Sequence, residues 1–431
     1  MLSNCKLYTL QINIGFLKTM AFTNIREFLE SGCIVPPPQI ASTLKRPNET
    51  PVAGSSAIAH SWVLGWGGFE RSARPQSEGC SLYVPDFFLE DPQPWVRFQF
   101  NQTLTHAHLV SALETFLIHF HQDLNLNIDL DLNHQAPYFS WETPRRDFFE
   151  SGFLEIQQQI LHGDLKKAVP VVFLRSKKTL DPKKLLVQRA YLLLQLLKNT
   201  QGSPLYLYGW WDSEGNGILG ATPELLFTQT HASLIQTMAL AGTRIQTENS
   251  PQALPQSALP ALLDDPKERL EHQIVVDSIY SSLSSLGQVV IGQTQELRLQ
   301  TLVHLYTPIS LSLESTLQDS DFSSWVKALH PTPALGAYPR DKGWLWLKTQ
   351  ESRFKRYRFG APFGVYFNSQ SSYCLVAIRN LQWISGQLLM GAGCGIVYSS
   401  DLEREWREIQ GKLQAIHRSF GFDLRNEAQF V

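Results

Sequence analysis

The chain has 431 residues, a formal net charge of −2 and 43% hydrophobic content. That length can bury one large core or two ordinary ones, and the near-balanced charge with no long single-sign run argues against nucleic-acid binding. No run approaches about 18 apolar residues, so no membrane span is expected. Five cysteines (Cys5, Cys33, Cys80, Cys374 and Cys394) are odd in number and scattered, with no CxxC pair. They read as free thiols of a reducing, cytoplasmic setting.

Residues 1–20 are moderately apolar but interrupted by polar residues, without a small-residue cleavage site. They read as poorly ordered or as a mis-assigned start ahead of Met20, since the amphipathic NIREFLESG follows directly. Residues 35–57 are rich in Pro, Ser and Thr and read as loop. WVLGWGGF and WVRFQF then read as strands, and THAHLVSALETFLIHFHQ as a helix. His106, His108, His119 and His121 share no helix face at i, i+4, so they predict no metal cluster. LNLNIDLDLN, 124–133, alternates as a half-buried strand does. It lacks the glycine and closing glutamate of an EF-hand loop.

From about residue 141 the texture changes. Helical stretches at 147–163, 181–199, 266–286 and 402–420 alternate with strands such as SPLYLYGWWD, SLIQTMALAG, SSYCLVAIRNLQWI and GQLLMGAGCGIV. Short turns between successive strands predict hairpins and an antiparallel α+β architecture. There is no repeat of 20–50 residues, no Walker loop and no dinucleotide fingerprint.

Two helices carry an ExxE spacing. At about 100° per residue, Glu405, Glu408 and Lys412 fall beside the apolar stripe of Leu402, Trp406, Ile409, Leu413 and Ile416. Glu268 and Glu271 likewise border a face with Val275, Ser278 and Ile279. Asp265, Pro266 and Glu268 read as an N-cap, N1 and N3 of a capping box. Carboxylates at a core edge need a proton, a cation or donors. Four of them on a shared site would make a hard-oxygen cage suited to Mg²⁺.

GDLKKAV (163–169), GATPELLF (220–227), ALAGTR (239–244), KERLEHQIVVD (267–277), HPTPALGAYPR (330–340), VAIRN (376–380) and GAGCGIVYSSDLEREWREIQGK (391–412) occur in this order. Together they resemble the chorismate-utilising enzymes, the superfamily of anthranilate, aminodeoxychorismate, isochorismate and salicylate synthases. The resemblance covers roughly residues 145–420. It implies one α/β fold of the α+β type, antiparallel sheets packed as a sandwich with helices outside. Residues 21–140 would be its variable amino-terminal part and 141–431 its catalytic region.

The resemblance also implies Mg²⁺-dependent chemistry on chorismate, in a monomer or homodimer without an obligate partner. Carried over residue by residue, Glu271 and Glu408 are the expected direct ligands of the ion, with Glu268 and Glu405 acting through water. Arg379 and Lys412 are expected on the enolpyruvyl carboxylate. Backbone donors near Gly242, Thr243 and Gly393 are expected to cradle the substrate, and His330 to lie beside it. Lys167 falls where water-using members carry a base lysine, which needs its pKa lowered by burial or nearby cations. Glu224 matches the acid that protonates the departing hydroxyl. Its plainer reading is a capping carboxylate after Pro223.

Ala241 stands where lysine-nucleophile members carry a lysine, and ALAGT is closer to isochorismate synthases than to anthranilate synthases. The expected reaction is chorismate to isochorismate, an isomerisation of the hydroxymutase type, feeding menaquinone. Salicylate synthase, or a homologue that binds chorismate without turning it over, are the alternatives. Four residues depart from the pattern. Pro170 would suit only an edge or bulge, and Val172 replaces an arginine for which Arg175 is the expected substitute. Phe359 replaces a tyrosine and Cys394 an alanine.

Overall fold

The computed structural model describes residues 25–37, 61–75, 80–124, 140–177, 184–246, 261–313, 321–351, 355–368 and 371–422. The predicted loop at 38–57, the alternating segment at 125–133 and residues 1–24 lie outside these. Residues 25–30 are helical, within the amphipathic segment after Met20.

Sixteen strands form one hydrogen-bonded sheet. Its path starts at the edge strand Gly287–Ile291 and runs through Leu302–Leu313, Leu234–Ile245, Leu225–His231, Ser371–Val376 and Pro362–Asn368. It continues through Ser81–Tyr83, Trp95–Thr105, Ser61–Ser72, Gly32–Val35, Tyr206–Trp211, Gly217–Thr222 and Asn380–Ile384, then Gln387–Gly393 and Val171–Arg175. Gln295–Arg298 pairs with Leu302–Leu313 off this path. Adjacent strands pair antiparallel, as the short turns predict.

The sheet folds over on itself to make the sandwich, with Gly287–Ile291 and Val171–Arg175 as its two edges. Tyr208, Trp210 and Ile218 from one half share a buried cluster with Leu240, Phe363 and Tyr373 from the other. The Tyr208 and Phe363 rings lie 4.7 Å apart. Non-neighbouring strands can share an inner face only if the sheet folds over. Outside one half, the helices His106–Leu124, Arg146–Leu161, Leu185–Thr200 and Leu402–Ser419 form a layer over the largest core cluster. Phe149 meets Trp406 there at 5.4 Å. Outside the other half, Pro266–Leu283 and Phe322–Leu329 cover a second cluster around Val275, Ile279, Trp325 and Val326. No helix among the described residues is long and apolar enough to cross a membrane.

Departures from the predicted elements have local causes. The 147–163 helix stops at Leu161, ahead of Gly163 at φ +80°. The run SSYCLVAIRNLQWI divides into Ser371–Val376 and Asn380–Ile384, with Arg379 between them at φ +56°. Pro170 sits in neither ladder. It separates Lys167–Ala168, which pairs with Ala337–Tyr338, from Val171–Arg175. A residue without an N–H fits such a break.

Candidate active site

Two acidic helices meet at the carboxyl-terminal half of the strand Leu234–Ile245. Asp265 caps Pro266–Leu283, accepting from the Lys267 and Glu268 amides, and Asp401 caps Leu402–Ser419 through the Arg404 amide. The second helix comes close because residue 411 is glycine. A Cβ there would lie 2.6 Å from Ile245 Cδ1. The strand itself bulges between Ala241 and Thr243, with Gly242 at φ +78°. A Cβ on Gly242 would press on the Glu268 carbonyl at 3.1 Å. The bulge aims the Thr243 amide at Glu268, and its N–H donates to Oε2 at 2.9 Å. Glu268 is therefore not the second half of a capping box: its carboxylate serves Thr243 and, at 2.8 Å, Arg404.

The four glutamates do gather. Glu268 and Glu405 are fully buried, and Glu271 and Glu408 nearly so. The cation at their centre is Lys267. Its ammonium lies 2.8 Å from Glu405 Oε1, 3.1 Å from Glu271 Oε2 and 3.3 Å from Glu268 Oε1. Burial works against the Lys267 charge, but the carboxylates of Glu271, Glu408, Glu405 and Glu268 outweigh it and raise its pKa. Glu408 pairs with Lys412 at 2.6 Å. Burial raises the pKa of Glu268 and of Glu405, against the pull of Lys267. Burial presses Glu271 the same way, yet Lys167 and Lys267 overcome it and hold Glu271 well below the usual carboxylate range.

A cavity of about 560 Å³ opens beside this cage. Glu224, Gly242, Thr243, Glu271, Arg379, Gly393 and Lys412 all line it, with Phe359 and His304. Glu224 is no helix cap, because Pro223–Glu224 is the turn between the strands Gly217–Thr222 and Leu225–His231. Its amide donates to Thr222 Oγ1 and its carbonyl accepts from Val376, so the backbone is clamped. Burial pushes its carboxyl up to about 8, although Lys167, Lys412 and Arg379 pull the other way. A carboxyl pushed up that far is suited to donate a proton at the cavity wall.

Lys167 is fully buried and stands behind the cavity rather than on its surface. Its Nζ lies 3.0 Å from Glu271 Oε1. Its nearest charged partner is thus an anion, not the neighbouring cation that a base lysine calls for. Gly395 makes this packing possible, since a Cβ there would fall 2.5 Å from Lys167 Cε and 2.1 Å from Glu271 Oε1. Lys412 donates to the Gly393 carbonyl at 2.7 Å. Thr243 and Gly393 thus have one backbone group each engaged within the protein, which narrows the backbone cradle expected at those positions.

His330 does not reach the cavity. Its Nε2 lies 2.7 Å from the Phe87 carbonyl, and its ring packs against Phe87 and Trp344. The histidine at the site is His304. Its Nδ1 is 3.1 Å from Thr243 Oγ1 and its Nε2 is 3.2 Å from an Arg379 guanidinium nitrogen. Burial, with Arg379 and Lys412, holds His304 well below the usual histidine value. The neutral ring accepts from Arg379 and orients it. His272 is likewise kept neutral, with its pKa at about 4 through burial, and bonds the Ala241 carbonyl and Thr307 Oγ1 beside the bulge. Neither histidine has a sequence neighbour at ligand spacing. The only signal was His304 at an inward position of an alternating strand.

The departures also find their places. Phe359 lines the cavity against Phe173, and Cys394 is a buried thiol of the large core cluster. Val172 is apolar core. The buried arginine nearby is Arg356 rather than Arg175: it donates to the Leu335 and Val169 carbonyls and stacks on Phe87.

Residues 58–421 match the family model described as chorismate binding enzyme. The chain belongs to that family. Among curated relatives, the salicylate biosynthesis isochorismate synthase of Pseudomonas aeruginosa is 34% identical over 203 residues, 47% of this chain and 41% of that protein. Isochorismate synthase MenF of Pasteurella multocida is 32% identical over 264 residues, covering 60% and 58%. The chain thus spans about half the length of these relatives. The solved structure of MenF, the menaquinone-specific isochorismate synthase of Escherichia coli, superposes with a TM-score of 0.62 over 84% of this chain and 86% of that one. At 20% identity that likeness speaks for the fold.

Proposed function

We propose that the protein is an isochorismate synthase that converts chorismate to isochorismate with Mg²⁺. One observation carries the reading most: Glu224 and Glu271 are buried in the wall of one cavity, with Lys167 paired to Glu271 behind it and the other three glutamates beyond. The carboxylate oxygens of the two helices have the chemistry a hard divalent ion takes, although no three such side chains among the described residues are arranged to hold one in this conformation. Oε2 of Glu405 has no hydrogen-bond partner among the described residues. Three of the carboxylates converge on Lys267, so an ion would replace that ammonium as their counter-charge. Glu271 and Glu408 would hold it directly, with Glu268 and Glu405 behind them. Bound there, it would neutralise the substrate's ring carboxylate.

The chain's own groups supply the rest. Arg379, oriented by His304, and Lys412 bind the enolpyruvyl carboxylate. Lys167 is the proposed base for the water that attacks one ring carbon. Glu224 gives its proton to the hydroxyl leaving another ring carbon, which departs as water. The ring double bonds shift between the two positions, so no net atom is gained or lost. Likeness to relatives named MenF supports menaquinone supply as the product's destination.

The test is to incubate pure protein with chorismate, with and without Mg²⁺, and to identify products by chromatography. Isochorismate formed only with the ion is the expected result. Salicylate with pyruvate would replace the reading with a salicylate synthase. Binding without any product would leave a non-catalytic homologue.

A further inference from the structure

A second cavity, of about 470 Å³, lies on the other side of Arg379. Arg379 lines both cavities, and the chain links them at two more places. Leu302 faces the outer cavity and His304 the inner one. Ala415 and Ile416 face the outer cavity about one helical turn beyond Lys412 of the inner one. The inner cavity's walls are buried except at Ala334, Ile378, Arg379 and Lys412. Arg379 is thus a half-exposed wall residue that the inner cavity shares with its neighbour.

The outer cavity mixes apolar walls, among them Leu205, Leu299 and Ile416, with Asn199, Thr200, Ser203 and Thr301. Among the described residues its charged lining is Arg379 and Arg418, without a carboxylate. Arg418 is exposed, and its guanidinium makes no ion pair among the described residues. Its backbone is held, because the Asn199 amide donates to the Arg418 carbonyl at 3.1 Å. A cleft whose charged lining is cationic raises the local concentration of anions and speeds their arrival.

We propose that this outer cavity is the vestibule through which a small dicarboxylate reaches the catalytic cavity. Arg418 is the first carboxylate contact and Arg379 the second, at the threshold. The proposal rests on the chorismate reading above. It gives Arg418 a role in the rate of arrival, and none in the chemical step.

Stopped-flow binding of chorismate in the presence of Mg²⁺, followed by intrinsic tryptophan fluorescence, tests it on the full chain. Arg418→Glu is expected to lower the association rate constant about tenfold at low salt, with the gap closing as salt rises. Arg418→Lys should stay within about threefold of wild type, since the charge persists. Thr301→Trp, a plug in the vestibule wall, should slow association and dissociation by the same factor and leave Kd unchanged. A distorted catalytic site would not give that signature. Wild-type rates in both Arg418→Glu and Thr301→Trp, in a protein that binds and turns over chorismate, would overturn the vestibule alone. A wild-type protein that binds no chorismate would overturn both proposals and mark the functional reading as the one at fault.

Discussion

Glu271 and Glu224 line the same cavity and are both buried, yet their surroundings push their pKa values in opposite directions. Glu271 touches two ammonium groups, Lys167 and Lys267, at 3.0 and 3.1 Å. Glu224 has no ion pair among the described residues, only cations at longer range. Burial favours the proton in both cases, and contact distance decides whether nearby cations overcome it. One residue type thus supplies an anion on one wall and an acid on the other. The two walls differ in how tightly lysine is packed against them.

The largest effect should come from breaking the anionic wall. Glu271→Gln removes the carboxylate that two buried lysines share. Turnover should fall below detection, and the uncompensated charges should cost about 3–5 kcal/mol of stability, read by denaturant unfolding without added metal. A variant as stable as wild type would contradict the ion pairing described here. Lys267→Met breaks the same wall from the other side. Without divalent ion it should lose a similar amount, since three carboxylates lose their shared cation, and Mg²⁺ should restore much of the loss. Equal destabilisation with and without Mg²⁺ would argue against a cation site in the cage.

The acidic wall should respond next. Glu224→Gln should lower kcat by about 10²–10⁴, the usual worth of a general acid. In wild type kcat/KM should fall as pH rises past about 8, because the free enzyme's acid is then ionised. Stability carries the same sign. The folded-state pKa lies above the unfolded value of 4.5, so the stabilising contribution is complete below about 4.5 and lost as pH rises to about 8. Glu224→Gln should therefore match wild type in Tm near pH 5 and exceed it at pH 8.5. A Tm difference that does not depend on pH would contradict a protonated Glu224. The smallest effect should come from Phe359→Tyr. A restored hydroxyl in the cavity should lower KM by no more than about tenfold, in line with one hydrogen bond of roughly 0.5–1.5 kcal/mol.

Much of this architecture was legible because period and capping residues are local. The 402–420 helix and the inward tilt of Glu405 and Glu408 follow from the wheel alone. Lys267 was missed, because the wheel does not say that it sits between two helices rather than in water. The order of strands in the sheet was not legible. Gly32–Val35 pairs with Tyr206–Trp211, and Ser81–Tyr83 with Pro362–Asn368, and no local pattern encodes partners that distant. His330 was misplaced because it adjoins a motif, HPTPALG, whose Ala334 and Leu335 do reach the cavity. Its own ring turns back to the Phe87 carbonyl. His304 was missed because a single histidine in an alternating strand looks like any other inward residue.

The central claim is that the two glutamate-bearing helices share one divalent ion. Crystals grown with Mn²⁺ as a Mg²⁺ substitute, and measured at the manganese edge, address it directly. The expected result is one anomalous peak between the Glu271 and Glu408 carboxylates, with the Lys267 ammonium moved off the position it holds here. No peak there, with Lys267 still seated among Glu268, Glu271 and Glu405, would contradict it.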